Sequence, residues 1–222
     1  MTPQQPALPL GVEPTTTIVA PGAVHVRGWL RLDEQADLLD HCRQWSRPPA
    51  GLRRPRMLDG TPFNTRSVCL GWHWYPYRYS RTCDDGDGAP VKPFPDALRT
   101  LALRACEATG YEPVPFDASI VNVYDATSKL GLHKDHTERI AGERGSPVVT
   151  ISLGDSCTFR FGNTESRTRP YTDLRLDSGD LFVFGGPARL AYHGVPRIFP
   201  GTAPPLLGVT GRVSVTIRES GQ

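Results

Sequence analysis

Apolar and polar positions along the chain follow two regimes, helical in the first half and strand-like from residue 116 onward. In "DEQADLLDHCRQW" Leu38, Leu39, Cys42 and Trp45 recur at helical spacing, Asp33 stands where a cap belongs, and Pro48-Pro49 prevents continuation. A second helix follows Pro95, where Leu98, Leu101, Ala102 and Ala105 fall at i, i+3, i+4 and i+7 and Gly110 offers the stop. Ahead of both, "GAVHVRGWL" reads as a short strand, with Val24, Val26 and Gly28 alternating against His25 and Arg27. Beyond residue 116 the period becomes two. The runs "FDASIVNVYD", "SPVVTISLG", "CTFRFG", "YTDLRLDSG", "DLFVFGG" and "RVSVTIRES", broken by Gly, Pro, Asp and Ser, predict an antiparallel sandwich, barrel or jelly roll. The expected architecture is therefore mainly β, with the two helices as a flanking layer.

Length and composition narrow this further. A chain of 222 residues, 38% hydrophobic and 22% charged, supports one sizeable core, so residues 15–222 are read as a single domain. Residues 1–14 carry four prolines and little apolar pattern, and read as a flexible tail. No apolar run has the length of a membrane span, and the N-terminus lacks the order of a secretory signal, so a cytoplasmic protein without a membrane partner is expected. Five cysteines, an odd number with no C-x-x-C pair, suggest buried reduced thiols rather than a disulfide framework or zinc knuckle. The net charge of +2 permits a polyanionic partner without requiring one. The stretch "CDDGDGAPVKPFP" reads as a loop; it lacks the register and closing Glu of an EF-hand.

Candidate chemistry begins at "GLHKDHTE", residues 131–138, at the end of an alternating run. On a strand, residues i and i+2 share a face, so His133 and Asp135 can present an imidazole and a carboxylate to one ion. Such a pair arises readily by chance, and a lone His193 in "ARLAYHGVPRI" is by default an ordinary packed histidine. Together, however, they can form the facial two-His, one-carboxylate site that leaves coordination positions open; Fe(II), Mn(II) and Zn(II) all suit the ligand types. In "GRVSVTIRE", Arg212, Ser214, Thr216 and Arg218 line one face of a strand against Val213, Val215 and Ile217. Ile120, Asn122 and Tyr124 share a face of "SIVNVYD" by the same parity. Polar sheet faces are commonly just solvated. Two arginines, an amide and a phenol facing one cavity would instead bind a dicarboxylate. An open metal beside such a pocket points to 2-oxoglutarate-dependent oxygen chemistry.

At this point the chain resembles the AlkB-type Fe(II)/2-oxoglutarate dioxygenases, which remove alkyl groups from nucleic-acid bases. The stretches that carry the resemblance are "NVY", "LHKDHTE", "PVVTISLG", "FRFG", "GDLFVFGGPARLAYHG" and "RVSVTIR", over roughly residues 116–218, with "LGWHWYPYRYS" similar to the substrate lid. The resemblance implies a double-stranded β-helix (jelly roll) core at about 116–218, an N-terminal helical layer and a lid at about 50–90. It implies Fe(II), 2-oxoglutarate and O2 as cofactors. By the same carry-over His133, Asp135 and His193 are the iron ligands, Arg212 with Tyr124 meets the distal carboxylate of 2-oxoglutarate, and Arg218 with Asn122 lies near its keto-acid end. Ser214 stands where relatives often have an amide. Thr137, followed by Glu138, stands where bacterial relatives often have an acidic base-reading residue.

A base must leave its stack to react and is usually held between aromatic faces, which singles out Trp72, Tyr77 and Tyr79, although such a cluster is also what a core hairpin looks like. Arg167 is a further substrate candidate. Arg47, Arg53, Arg54, Arg56, Arg66, Lys129 and Lys134 could meet phosphates, each being singly an ordinary surface charge. The implied reaction is oxidative dealkylation of bases such as 1-methyladenine and 3-methylcytosine in DNA, preferably single-stranded, with RNA an alternative, by a monomer. Competing readings are a 2-oxoglutarate oxygenase of tRNA or protein, a non-catalytic nucleic-acid binding module, and a zinc hydrolase built on His133, His136 and His193.

Overall fold

A computed structural model describes residues 13–138 and 143–222, so the expected tail at 1–14 lies outside the described residues except for its last two positions. The chain runs β1 (Thr15–Ala20), β2 (Ala23–Arg27), α1 (Leu32–Trp45), β3 (Arg66–Leu70), β4 (His73–Tyr75), β5 (Arg78–Ser80) and α2 (Asp96–Thr109). It continues through β6 (Ala118–Tyr124), β7 (Leu130–His133), β8 (Val148–Gly154), β9 (Ser156–Gly162), β10 (Tyr171–Leu176), β11 (Leu181–Phe184), β12 (His193–Phe199) and β13 (Arg212–Arg218). A seven-stranded sheet in the order β1-β2-β11-β8-β13-β6-β3 faces a four-stranded sheet in the order β10-β9-β12-β7, and β4 and β5 form a separate hairpin. All named pairings are antiparallel. This is the expected jelly roll.

Parity divides the large sheet into two cores. Val213, Val215, Ile217, Val149, Ile151, Leu181 and Val183 point outward and are covered by Leu38, Leu39, Leu98, Ala102 and Ala105 of the helices. Phe182, Phe184, Phe159, Phe161, Leu176 and Tyr124 fill the space between the sheets. Both faces of the central strands are thus removed from water, which is the main stabilising term of the sandwich. Gly110 ends α2 at φ +74°, as its glycine foretold.

Several elements differ from expectation. Asp33 does not cap α1: Arg31 occupies that position, the Glu34 carboxylate accepts its backbone N–H at 2.9 Å, and Asp33 pairs with the Arg31 side chain. β1 and β3 were not foreseen. β1 is an edge strand whose outer end is exposed, and four of the five residues of β3 are buried, so neither alternates. The aromatic run makes a hairpin of two three-residue strands. His193 opens a strand rather than following one; β12 contains Pro196 at an irregularity between Gly194 and Arg197, where its missing N–H disrupts no regular ladder. β7 ends at His133, so Asp135 lies in the loop beyond the strand.

Candidate metal and cosubstrate site

The register of β7 against β12 sets His133 directly opposite His193, with ring centroids 4.4 Å apart. Asp135, two residues past the strand end, turns its carboxylate toward both: His133 Nε2 lies 3.8 Å from Oδ1 and His193 Nε2 lies 4.0 Å from Oδ2. One ligand atom from each of the three side chains falls within 4.8 Å of the others. Nδ1 of each imidazole faces a backbone carbonyl, Gly131 O at 2.9 Å and Ala191 O at 3.0 Å, an arrangement that places the proton on Nδ1 and leaves both Nε2 lone pairs aimed at the common point. Burial, with the His133 charge, pushes His193 down to about 4, so it is neutral and ready to ligate at neutral pH. Burial would raise Asp135, but Arg218, His193 and His133 outweigh it and hold the carboxyl well below the usual range.

Arg212, Ser214 and Arg218 of β13 pair in register with Tyr124, Asn122 and Ala118 of β6, all on the face between the sheets. Arg212 is 1% exposed; its Nη2 donates to Ser152 Oγ at 3.1 Å, while Nε and Nη1 are buried with no partner. A buried guanidinium with two idle donors is costly to leave so, and a carboxylate is the group whose geometry satisfies them. The Tyr124 ring centroid lies 5.8 Å from the guanidinium, and burial pushes its phenol up, so it is a neutral donor. Asn122 Oδ1 accepts from Ser67 Oγ at 2.8 Å, which leaves its amide N–H groups for the cavity. Arg218 Nη1 lies 3.2 Å from Asp135 Oδ2 and 3.1 Å from Glu138 Oε1. Asp135 Oδ2 itself has no hydrogen-bond partner. The donor set therefore fits a divalent cation with a carboxylate-bearing molecule beside it.

The expected substrate residues divide. Tyr77 is 52% exposed, at φ +70°, with its ring 5.9 Å from that of His136 beside the ligand loop. Thr137 Oγ1 accepts from Trp74 Nε1 at 3.3 Å. Arg167, exposed, lies over the Tyr192 ring, whose centroid is also 4.5 Å from Lys134 Nζ, at the rim next to His193. Trp72 is not brought to this group: its Nε1 donates to Asp117 Oδ2, Arg81 covers its ring, and it shares a groove with Phe94 and Arg99 on the helix side. Glu138 is fully buried, accepts from Tyr79 Oη, and is paired with Arg189 and Arg218, so it cannot touch a base and instead fixes the loop. Tyr79 is committed to that same bond. Arg53 is no phosphate ligand either, since its side chain is 8% exposed and bound to Asp85 and to the carbonyls of Ser67 and Trp74.

Two participants escaped the sequence reading. Arg189, 1% exposed, donates to the backbone carbonyl of Asp135 at 2.7 Å and pairs with Glu138. Trp74, edge-on to Phe63, holds Thr137. The only signal for Arg189 is its place four residues before His193.

Two histidines and a carboxylate at the mouth of a jelly roll, beside an unsatisfied buried arginine, define a class: mononuclear metal proteins that take a carboxylate cosubstrate. Comparison with known proteins leads to the same place. The profile described as "2OG-Fe(II) oxygenase superfamily" matches residues 22–218. The Escherichia coli (strain K12) alpha-ketoglutarate-dependent dioxygenase AlkB is 36% identical over 155 residues, 69% of this chain and 68% of its own. The Arabidopsis thaliana DNA N(6)-methyladenine demethylase ALKBH1C is 33% identical over 225 residues, covering 91% of this chain and 49% of its own. A solved structure titled "The structure of OsALKBH1" superposes with a TM-score of 0.84 at 32% identity, over 91% of this chain and 100% of that one. The chain belongs to the 2OG-Fe(II) oxygenase superfamily and, within it, to the AlkB-type dioxygenases. It spans about half the length of the first curated relatives it matches, 49% and 50% for the two Arabidopsis proteins. Fe(II), 2-oxoglutarate and O2 are the cofactors that this membership carries, and the His133, Asp135 and His193 cluster is present to receive the metal.

Proposed function

We propose that the protein oxidatively removes alkyl groups from N-alkylated bases of the 1-methyladenine and 3-methylcytosine type in DNA. In the overall reaction an N-methyl base, 2-oxoglutarate and O2 become the unmodified base, formaldehyde, succinate and CO2. The carrying observation is the convergence of His133, Asp135 and His193 beside Arg212 with its two unpartnered nitrogens. When bound, iron and 2-oxoglutarate supply the oxidising chemistry. The chain would hold and orient them: His133, Asp135 and His193 would hold the metal, and Arg212 with Tyr124 would engage the far carboxylate of the cosubstrate. Asn122, Ser214 and Arg218 border its other end. Phe159 and Phe184 pack against the His193 ring and keep water from that side of the site.

The substrate enters past the β4–β5 hairpin. Tyr77 stacks on the extruded base, Thr137 stands beside it on the Trp74 indole, and Lys134 and Arg167 take flanking phosphates around Tyr192. Single-stranded DNA is preferred because no base pair has to break. The protein acts as a monomer in the cytoplasm; its five cysteines are all free and buried, which suits a reducing compartment. The names of the Arabidopsis relatives favour a second substrate, N(6)-methyladenine in DNA.

The test is formaldehyde and succinate release from DNA and RNA oligonucleotides carrying 1-methyladenine, 3-methylcytosine or N(6)-methyladenine. Turnover should require 2-oxoglutarate and be highest on single-stranded 1-methyladenine and 3-methylcytosine DNA. Uncoupled succinate formation without release from any methylated strand would overturn the base-repair reading and leave a protein or tRNA oxygenase.

A further inference from the structure

A second group of metal-binding side chains lies outside the catalytic mouth. His73 opens β4, and Cys83 and Asp85 follow in the loop after β5; one ligand atom from each falls within 4.8 Å of the others. His73 is 1% exposed and Cys83 is 2% exposed. His73 Nε2 meets Asp85 Oδ1 at 2.7 Å, and Asp85 Oδ2 is buried with no hydrogen-bond partner. An idle carboxylate oxygen beside a buried thiol and an imidazole is a set of lone pairs without a Lewis acid.

We propose that His73, Cys83 and Asp85 bind a divalent cation of borderline softness, zinc in the first place, which ties the start of the β4–β5 hairpin to the loop that follows it. Imidazole, thiolate and carboxylate are the ligand types that zinc takes, and the mixture excludes calcium and magnesium, which want oxygen alone. On binding, the cation takes a His73 ring lone pair, the imidazole keeping its one proton on the other nitrogen, and displaces the Cys83 thiol proton to solvent. No electron is transferred. Two anionic ligands then neutralise the dication. The neighbouring Arg53 guanidinium is bound to Asp85 and also reaches Cys69. Cys69 Sγ accepts from Trp74 N–H at 3.4 Å and from Arg53 Nη1 at 3.6 Å. Burial pushes the Cys69 thiol up, but His73 and Arg53 outweigh this and hold it below its ordinary value.

The consequence is structural. The hairpin carries Trp74, which holds Thr137, and Tyr79, which holds Glu138, so the cation stiffens the segment that borders the catalytic mouth.

Cobalt(II) titration of the chelator-treated full chain, without oxygen, separates the two sites. The His133, Asp135 and His193 site has no sulfur ligand, so a near-ultraviolet sulfur-to-cobalt charge-transfer band reports the second site alone. The expected result is such a band in the wild type, retained in His133→Ala, lost in Cys83→Ser and bleached by added zinc. Circular dichroism shows whether Cys83→Ser is folded, and Asp85→Asn, which leaves the sulfur in place, should bind cobalt at least tenfold more weakly. A wild type that binds cobalt with no sulfur band overturns the proposal whatever the variants do. A band that survives in Cys83→Ser but vanishes in Cys69→Ser overturns the ligand assignment.

Discussion

Arg212 shows how far one side chain can be read. Its inward face follows from the alternation of "RVSVTIR" alone, but its two idle nitrogens emerge only when Ser152 is found to satisfy no more than Nη2. Arg212→Ala should weaken 2-oxoglutarate binding by about 2–4 kcal/mol, the range for losing a buried charge-assisted pair, with the circular dichroism melt retained. The measurement is the KM for 2-oxoglutarate in succinate release. His193 gives a pH prediction. Its folded pKa of about 4 lies below the 6.5 of the free imidazole, so the unfolded chain takes up a proton that the fold refuses. Metal-free protein should therefore keep its full stability above pH 6.5 and lose about 3 kcal/mol as pH falls toward 4, more than His193→Gln loses in the same urea titrations. Asp135 adds to the loss at still lower pH, because its depressed carboxyl stabilises the fold above the ordinary value of 3.8 and ceases to below it. Arg189, Trp74 and the idle oxygen of Asp85 were not legible at this scale. Their roles are contacts with residues far off in sequence, 54 positions away for Arg189 and Asp135 and 63 for Trp74 and Thr137.

At the scale of elements, the strands that alternate or sit between clear breakers could be read directly: β6, β8, β10, β11 and β13 fall inside their expected runs, and β9 exceeds its run by Ser156 alone. β3, buried on both faces, and β12, interrupted by Pro196, could not, because period two needs one wet face and an unbroken ladder. The hairpin depends on a glycine whose role is geometric. Gly71 adopts φ +79° between β3 and β4, and a Cβ there would run into the Asp117 carbonyl. Gly71→Ala should cost about 1–3 kcal/mol in urea unfolding and displace Trp74 and Tyr79. Gly60→Ala, at φ +84° with nothing near its Cβ, should cost less, so a larger loss at Gly60 than at Gly71 would contradict the packing account.

For the molecule as a whole, the site joins strands of both sheets, and ligands that bridge them should stabilise all of it. Manganese(II), which suits the same ligand types, and 2-oxoglutarate at about a hundred times its dissociation constant should together add roughly 3 kcal/mol, or about 5–10 °C in the melting temperature. The increment from 2-oxoglutarate should disappear in Arg212→Ala while that from manganese remains. By itself the sequence determined an antiparallel β class with two helices and which side chains share a face, because these follow from the periods of helix and strand and act over a few residues. Only the tertiary structure decided what meets across those faces. The pairing of β7 with β12 brings His133 to His193, the loop past β7 carries Asp135 to both, and the turn after β5 returns Cys83 and Asp85 to His73. Such meetings depend on inter-strand register and on where loops fold back, and no local pattern encodes either.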